Sequence, residues 1–124
     1  MPRSILDETQ IHPPIRDRIA GAHADIVREV QAAIRQHPVV VVGMAQNPYP
    51  RKARKALDAA GVPYHYLSYG SYFGDWRRRN ALKMWTGWST FPMVFVKGML
   101  VGGKQELQAL VDQGELKRLL RQPD

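Results

Sequence analysis

Gly102-Gly103-Lys104-Gln105 stands where a short apolar run gives way to helical spacing. Backbone N–H groups at a helix start, at the positive end of its dipole, favour a carboxylate, and Lys104 adds a full positive charge there. The same residues also make an ordinary glycine-rich turn from strand to helix. Asn47, ahead of Pro48-Tyr49-Pro50, can donate to a ligand or cap the helix that follows; capping is the simpler account. Arg51, Lys52, Arg54 and Lys55 form one basic cluster, and Arg77, Arg78, Arg79 and Lys83 a second. Such runs are ordinarily solvated helix faces; beside a pocket they would draw an anionic ligand or an acidic protein patch. Trp76, Trp85 and Trp88 bracket the second cluster. Aromatics beside a basic surface can stack single-stranded bases. The spacing of Trp76 and Trp85 fits core or interface better, so nucleic acid is not the expected partner.

Other chemistries are excluded by residue type. The chain has no cysteine, and therefore no disulfide, thiolate nucleophile, thiolate zinc site or cysteine-held iron–sulfur cluster of its own. His12, His23, His37 and His65 are scattered without metal-binding spacing, and no metal is expected. No phosphate loop or serine-triad signature is present.

The elements that must position these residues fit one domain of 124 residues, with 44% hydrophobic residues and a net charge of +7. Residues 1–14 read as a polar lead-in and residues 15–124 as a single globular domain. No apolar run approaches the ~20 residues that span a bilayer, and the first residues lack the apolar core of a secretory signal. No membrane association is expected, and the expected location is the cytoplasm.

Ile15, Ile19, Ala22, Ile26, Val30, Ala33 and Ile34 recur at helical intervals and predict one amphipathic helix, closed at His37-Pro38. Val39, Val40, Val41 and Val42 predict a strand covered on both faces. A helix beginning at Pro50 should carry Ala53, Ala56, Leu57 and Ala60 inward and end at Gly61. Residues 62–69 predict a second strand and residues 70–74 a turn, with Asp75 capping a helix through Trp85. Residues 93–96 and 99–101 predict a hairpin across Lys97-Gly98. Two short helices follow, burying Leu107, Leu110 and Val111, then Leu116, Leu119 and Leu120. A βαβ unit followed by ββα makes a four-stranded mixed α/β sheet with helices on both faces. This is the thioredoxin-like arrangement with an extra N-terminal helix.

The motifs narrow this further. VVVVGMAQNPYPRKARKALDAAGVPYHYL resembles the first half of a glutaredoxin, and TGWSTFPMVFVKGMLVGGKQELQALVDQGELKRLL the second half. Trp88 ahead of Thr-Phe-Pro resembles the monothiol branch. Asn47-Pro48-Tyr49-Pro50 stands where the family has Cys-Pro-Tyr-Cys, so Asn47 replaces the nucleophile and Pro50 the resolving cysteine. Met44 stands where the family has a lysine that holds a glutathione carboxylate, and Lys104 where it often has a third cysteine.

The resemblance implies a groove for glutathione lined by Asn47, Tyr49, Thr90, Phe91, Pro92, Gly102, Gly103, Lys104 and Gln105, with Arg51, Arg77 and Arg78 as a basic rim. Pro92 should be cis, exposing the backbone of Phe91 to an extended ligand, and the γ-glutamyl carboxylate should meet Gly103 and Lys104. Thiol–disulfide exchange needs an attacking thiolate, which an asparagine amide cannot supply. The expectation is a glutaredoxin-like module of cell redox homeostasis that binds glutathione or an acidic protein without redox catalysis, and carries no iron–sulfur cluster. The alternative is a glutathione-dependent enzyme of transferase type, with the Tyr49 hydroxyl favouring the ligand's thiolate.

Overall fold

The computed structural model describes residues 3–70 and 74–123. A turn of 3-10 helix at Glu8–Gln10, capped by Asp7 through the Thr9 N–H, leads into α1 (Pro13–Gly21) and α2 (Ala24–Gln36). Then follow β1 (Val39–Gly43), α3 (Pro48–Ala59), β2 (His65–Ser68), α4 (Trp76–Thr86), β3 (Met93–Val96), β4 (Met99–Gly102), α5 (Lys104–Asp112) and α6 (Glu115–Arg121). The sheet order is β2-β1-β3-β4. β1 runs parallel to β2 and antiparallel to β3, and β3 pairs antiparallel with β4. This is the expected four-stranded mixed sheet.

All five residues of β1 are buried, because successive side chains enter opposite layers. Val40 and Val42 join Ile26 and Val30 of α2, Leu82 of α4, Met93 and Phe95. Val39 and Val41 join Ala53 and Leu57 of α3, Leu107 of α5 and Leu116 of α6. At the strand's end, Gly43 lies so close to α3 and β2 that a Cβ there would stand 2.7 Å from the Pro50 Cβ and 2.8 Å from the Tyr66 hydroxyl.

The structure corrects several expectations. The single N-terminal helix is two: Ala22 is extended and His23 left-handed (φ 51°), so the hydrogen-bond ladder breaks after Gly21. The buried stripe consequently begins at Ile26, while Ile15, Ile19 and Ala22 are exposed. α3 starts at Pro48 rather than Pro50, because Asn47 caps it. β2 starts only at His65: Gly61 is left-handed (φ 71°) and the Val62 N–H returns to the Leu57 carbonyl at 3.0 Å, closing the helix. Asp75 occupies the N-cap position of α4 without capping it; its carboxylate lies 3.7 Å from Arg78. Arg79, expected on a solvated face, is buried, and its Nη1 donates to the carbonyls of Tyr69 (2.9 Å) and Gly74 (2.5 Å). Of the turn expected over residues 70–74, residues 71–73 lie outside the described residues.

Candidate functional site

The C-terminal end of β1 delivers the chain into residues 44–47 and then into α3. Met44 is buried, and the Ala45 N–H donates to the Gly70 carbonyl at 2.7 Å. Asn47 is held from both ends of its amide. Its Oδ1 accepts the Tyr49 N–H at 3.0 Å, and its Nδ2 donates to the Phe91 carbonyl at 3.3 Å. The carboxamide thus joins the N-terminus of α3 to the turn that enters β3, and no nucleophile stands at this position.

The Phe91–Pro92 peptide bond is cis. The Phe91 side chain is buried in the α2/α4 layer, with the Lys83 ammonium 5.7 Å from its ring centroid. Thr90 is exposed. The other wall is the Gly102-Gly103 turn, which packs directly on this one. A Cβ at Gly103 would lie 3.4 Å from the Pro92 carbonyl oxygen and 3.6 Å from the Trp88 Nε1. That indole N–H is buried and has no hydrogen-bond partner.

Glu106 is the residue that sequence reasoning missed. Its Oε1 accepts the Gly103 N–H at 2.8 Å, capping α5 with the chain's own carboxylate. A Glu three residues after the cap position is the signal that would have found it. The donors that remain for an external carboxylate are therefore the backbone N–H groups of Lys104, Gln105 and Glu106 in the helix's first turn.

Tyr49 is half exposed at the start of α3, with the Lys52 ammonium 5.3 Å from its ring centroid; Arg51 beside it is exposed. The other two expected rim residues point elsewhere. Arg78 pairs with Asp25 at 3.0 Å and lies over the Tyr69 ring, and Arg77 lines a groove formed by α1, α2 and α4. The structure thus brings together Asn47, Phe91, Pro92, Gly103 and Glu106, and sets Arg77 and Arg78 on other contacts.

Among the described residues no three His, Asp or Glu side chains converge as a metal site, and no helix is long and apolar enough to cross a membrane. His37 and His65 stack face to face, with centroids 4.2 Å apart. The residues at the Asn47 position do not fit an iron–sulfur cluster. The nucleophile's position holds a neutral amide already bonded at both ends, and the chain has no thiolate to offer.

Fold and site together define a thioredoxin-fold protein in which a cis-proline turn, a helix-capping loop and a Gly-Gly turn face one another. The glutaredoxin family model matches residues 39–101, and the chain belongs to the glutaredoxin family as a member without cysteine. It is 44% identical over 102 residues to a glutaredoxin-like protein of Dictyostelium discoideum, covering 82% of this chain and 83% of that one. The crystal structure of oxidized glutaredoxin 2 from Chlamydomonas reinhardtii superposes with a TM-score of 0.69 at 28% identity, over 81% of this chain and 94% of that one. A buckwheat glutaredoxin–glutathione complex superposes with a TM-score of 0.70 at 26% identity, over 80% and 90%.

Proposed function

We propose that this glutaredoxin-like protein is a binding module of thiol and redox biology, acting in the cytoplasm without thiol–disulfide catalysis. One observation carries the reading: Asn47, in the place of the family's nucleophile, is fastened to the Tyr49 N–H and the Phe91 carbonyl. An amide so held does not attack a disulfide.

The buckwheat relative binds glutathione, and the same ligand is the first candidate for this groove. Here its two recognition points are partly taken by the chain's own side chains, the Phe91 carbonyl by Asn47 and the Gly103 N–H by Glu106. Met44 in place of the family's lysine removes a charge-assisted hydrogen bond of about 1.5–3 kcal/mol. Glutathione affinity then falls roughly one to two orders of magnitude below that of a lysine-bearing relative. An acidic protein segment is the second candidate ligand.

The test is titration of the protein with reduced glutathione followed by amide NMR shifts, with the coupled glutathione–disulfide assay run on the same preparation. Weak saturable shifts at Phe91, Lys104 and Gln105 with no turnover support the reading. Turnover above the protein-free rate that survives repurification overturns it.

A further inference from the structure

On the helical face formed by α2 and α4, α1 stands off from the body of the domain and leaves an open groove of about 760 Å³. This groove shares no residue with the Asn47–Phe91–Gly103 site. Its floor and walls are apolar: Ile15 and Ile19 of α1, Val27 of α2, and Met84 and Trp85 of α4. Ile15 is 42% exposed, Ile19 49% and Met84 70%, so the strip presents large side chains to water. Arg18, Arg28 and Arg77 line it, one from each helix, and among the described residues no carboxylate does. Arg18 and Arg28 have no carboxylate partner among the described residues, and Arg77 lies over the Trp76 ring.

α1 supplies a further argument. It has nine residues and buries none of them. A helix so short is marginal in water unless tertiary packing supports it. Ile15 and Ile19, four apart on one face, point that face into a groove the chain does not fill.

We propose that this groove is a docking surface for an acidic amphipathic helix of a partner protein. Such a helix would lay apolar residues at i, i+3 or i+4 and i+7 between α1 and α4, with Asp and Glu on its flanks meeting the three arginines. α1 is about 13 Å long, which matches two to three turns of a partner helix. Met84 suits such a site, because an unbranched thioether adapts to the shape laid against it. A second copy of the chain is disfavoured as occupant. Two-fold pairing through this face would set each arginine rim against its duplicate, on a chain of net charge +7. Apart from Trp85 and His23 the lining side chains are not aromatic, so successive nucleic-acid bases would find no run of rings on which to stack.

The probe is a synthetic amphipathic helical peptide with leucines at that spacing and glutamates on its flanks, compared with a twin carrying lysines in their place. Binding is followed by amide NMR shifts and by the fluorescence of Trp85. The acidic peptide should shift residues of α1, α2 and α4 and leave Phe91 and Lys104 unmoved, whereas glutathione should do the reverse, so the two sites are tested separately. Ile19→Glu and Met84→Glu, on separate helices and both at exposed side chains, should each weaken the peptide roughly tenfold or more with helical content retained. The double variant Arg18→Glu/Arg28→Glu should exchange the preference and select the lysine twin. Equal binding of the two peptides, or shifts confined to other faces, overturns the proposal. So does sedimentation of the chain alone as a dimer that Ile19→Glu dissociates, or binding to anionic lipid vesicles through these residues in preference to the peptide.

Discussion

The Tyr69 hydroxyl donates to Glu29 Oε1 at 2.7 Å, tying the segment after β2 to the middle of α2 across 40 residues of sequence. The ring is buried and lies under the guanidinium of Arg78, which itself pairs with Asp25 of α2. The end of β2, the start of α4 and α2 are thereby held by one polar cluster.

Removing the hydroxyl in Tyr69→Phe should cost about 1–2 kcal/mol of stability. The effect has a pH signature. Burial, then the Glu29 hydrogen bond and charge, push the Tyr69 hydroxyl above its usual value of about 10. Above about pH 10 the unfolded chain releases this proton while the folded chain keeps it, so stability is intact below that pH and falls as pH rises past it. Urea midpoints followed from about pH 9 to about pH 11 should therefore fall more steeply for the parent than for Tyr69→Phe. Burial and Asp58 also raise Tyr64, which leaves some of the slope in the variant.

Asn47→Ala should lose the α3 cap at a cost of about 1 kcal/mol, read as a lower thermal midpoint. It should also free the Phe91 carbonyl, so that glutathione shifts the Phe91 amide further than it does in the parent. Asn47→Cys should show weak turnover in the coupled glutathione–disulfide assay where the parent shows none.

Anaerobic reconstitution with iron and sulfide should leave the protein colourless, with no visible absorption from a [2Fe–2S] cluster on the chain. The reason is the absence of any cysteine thiolate to supply the ligand.

Arg79→Met should destabilise the protein by about 1–3 kcal/mol, because the Tyr69 and Gly74 carbonyls lose their common donor. Arg79→Lys should recover only part of the loss, since an ammonium is a compact point charge without the planar fork of a guanidinium. Chemical denaturation of the three proteins reads both effects.

The strands were legible wherever composition and punctuation agreed. Four valines between Pro38 and Gly43, and the hairpin around Lys97-Gly98, leave little room for another reading. The N-terminal helix was misread because the pattern of Ile15, Ile19, Ala22 and Ile26 continues smoothly through a break that only the left-handed turn at His23 reveals. Of the site, the Thr-Phe-Pro and Gly-Gly turns could be located from their motifs, and the structure brings Pro92 against Gly103. What the chain's own side chains do there was hidden. The Asn47–Phe91 contact spans 44 residues, and no local pattern reports it. The basic runs were equally opaque, since Arg77, Arg78 and Arg79 are adjacent in sequence yet serve a groove, an ion pair and a buried carbonyl clamp.

Four consecutive valines in β1 carry no information about alignment. Sliding this strand by one residue against β2 or β3 would exchange one valine for another on each face, at little change in the apolar surface buried. Alternating strands resist such a slip because it turns polar residues inward; β1 has none to turn. The alignment must therefore be anchored at an end, and Gly43 supplies the anchor. Its place opposite Ser68 is the one where the Pro50 ring and the Tyr66 hydroxyl leave no room for a side chain. A slip of the strand by one residue would bring Val42 or Met44 into that space, depending on its direction, and the collision would reject it. The most uniform segment of the chain thus takes its phase from the single residue in it that has no side chain.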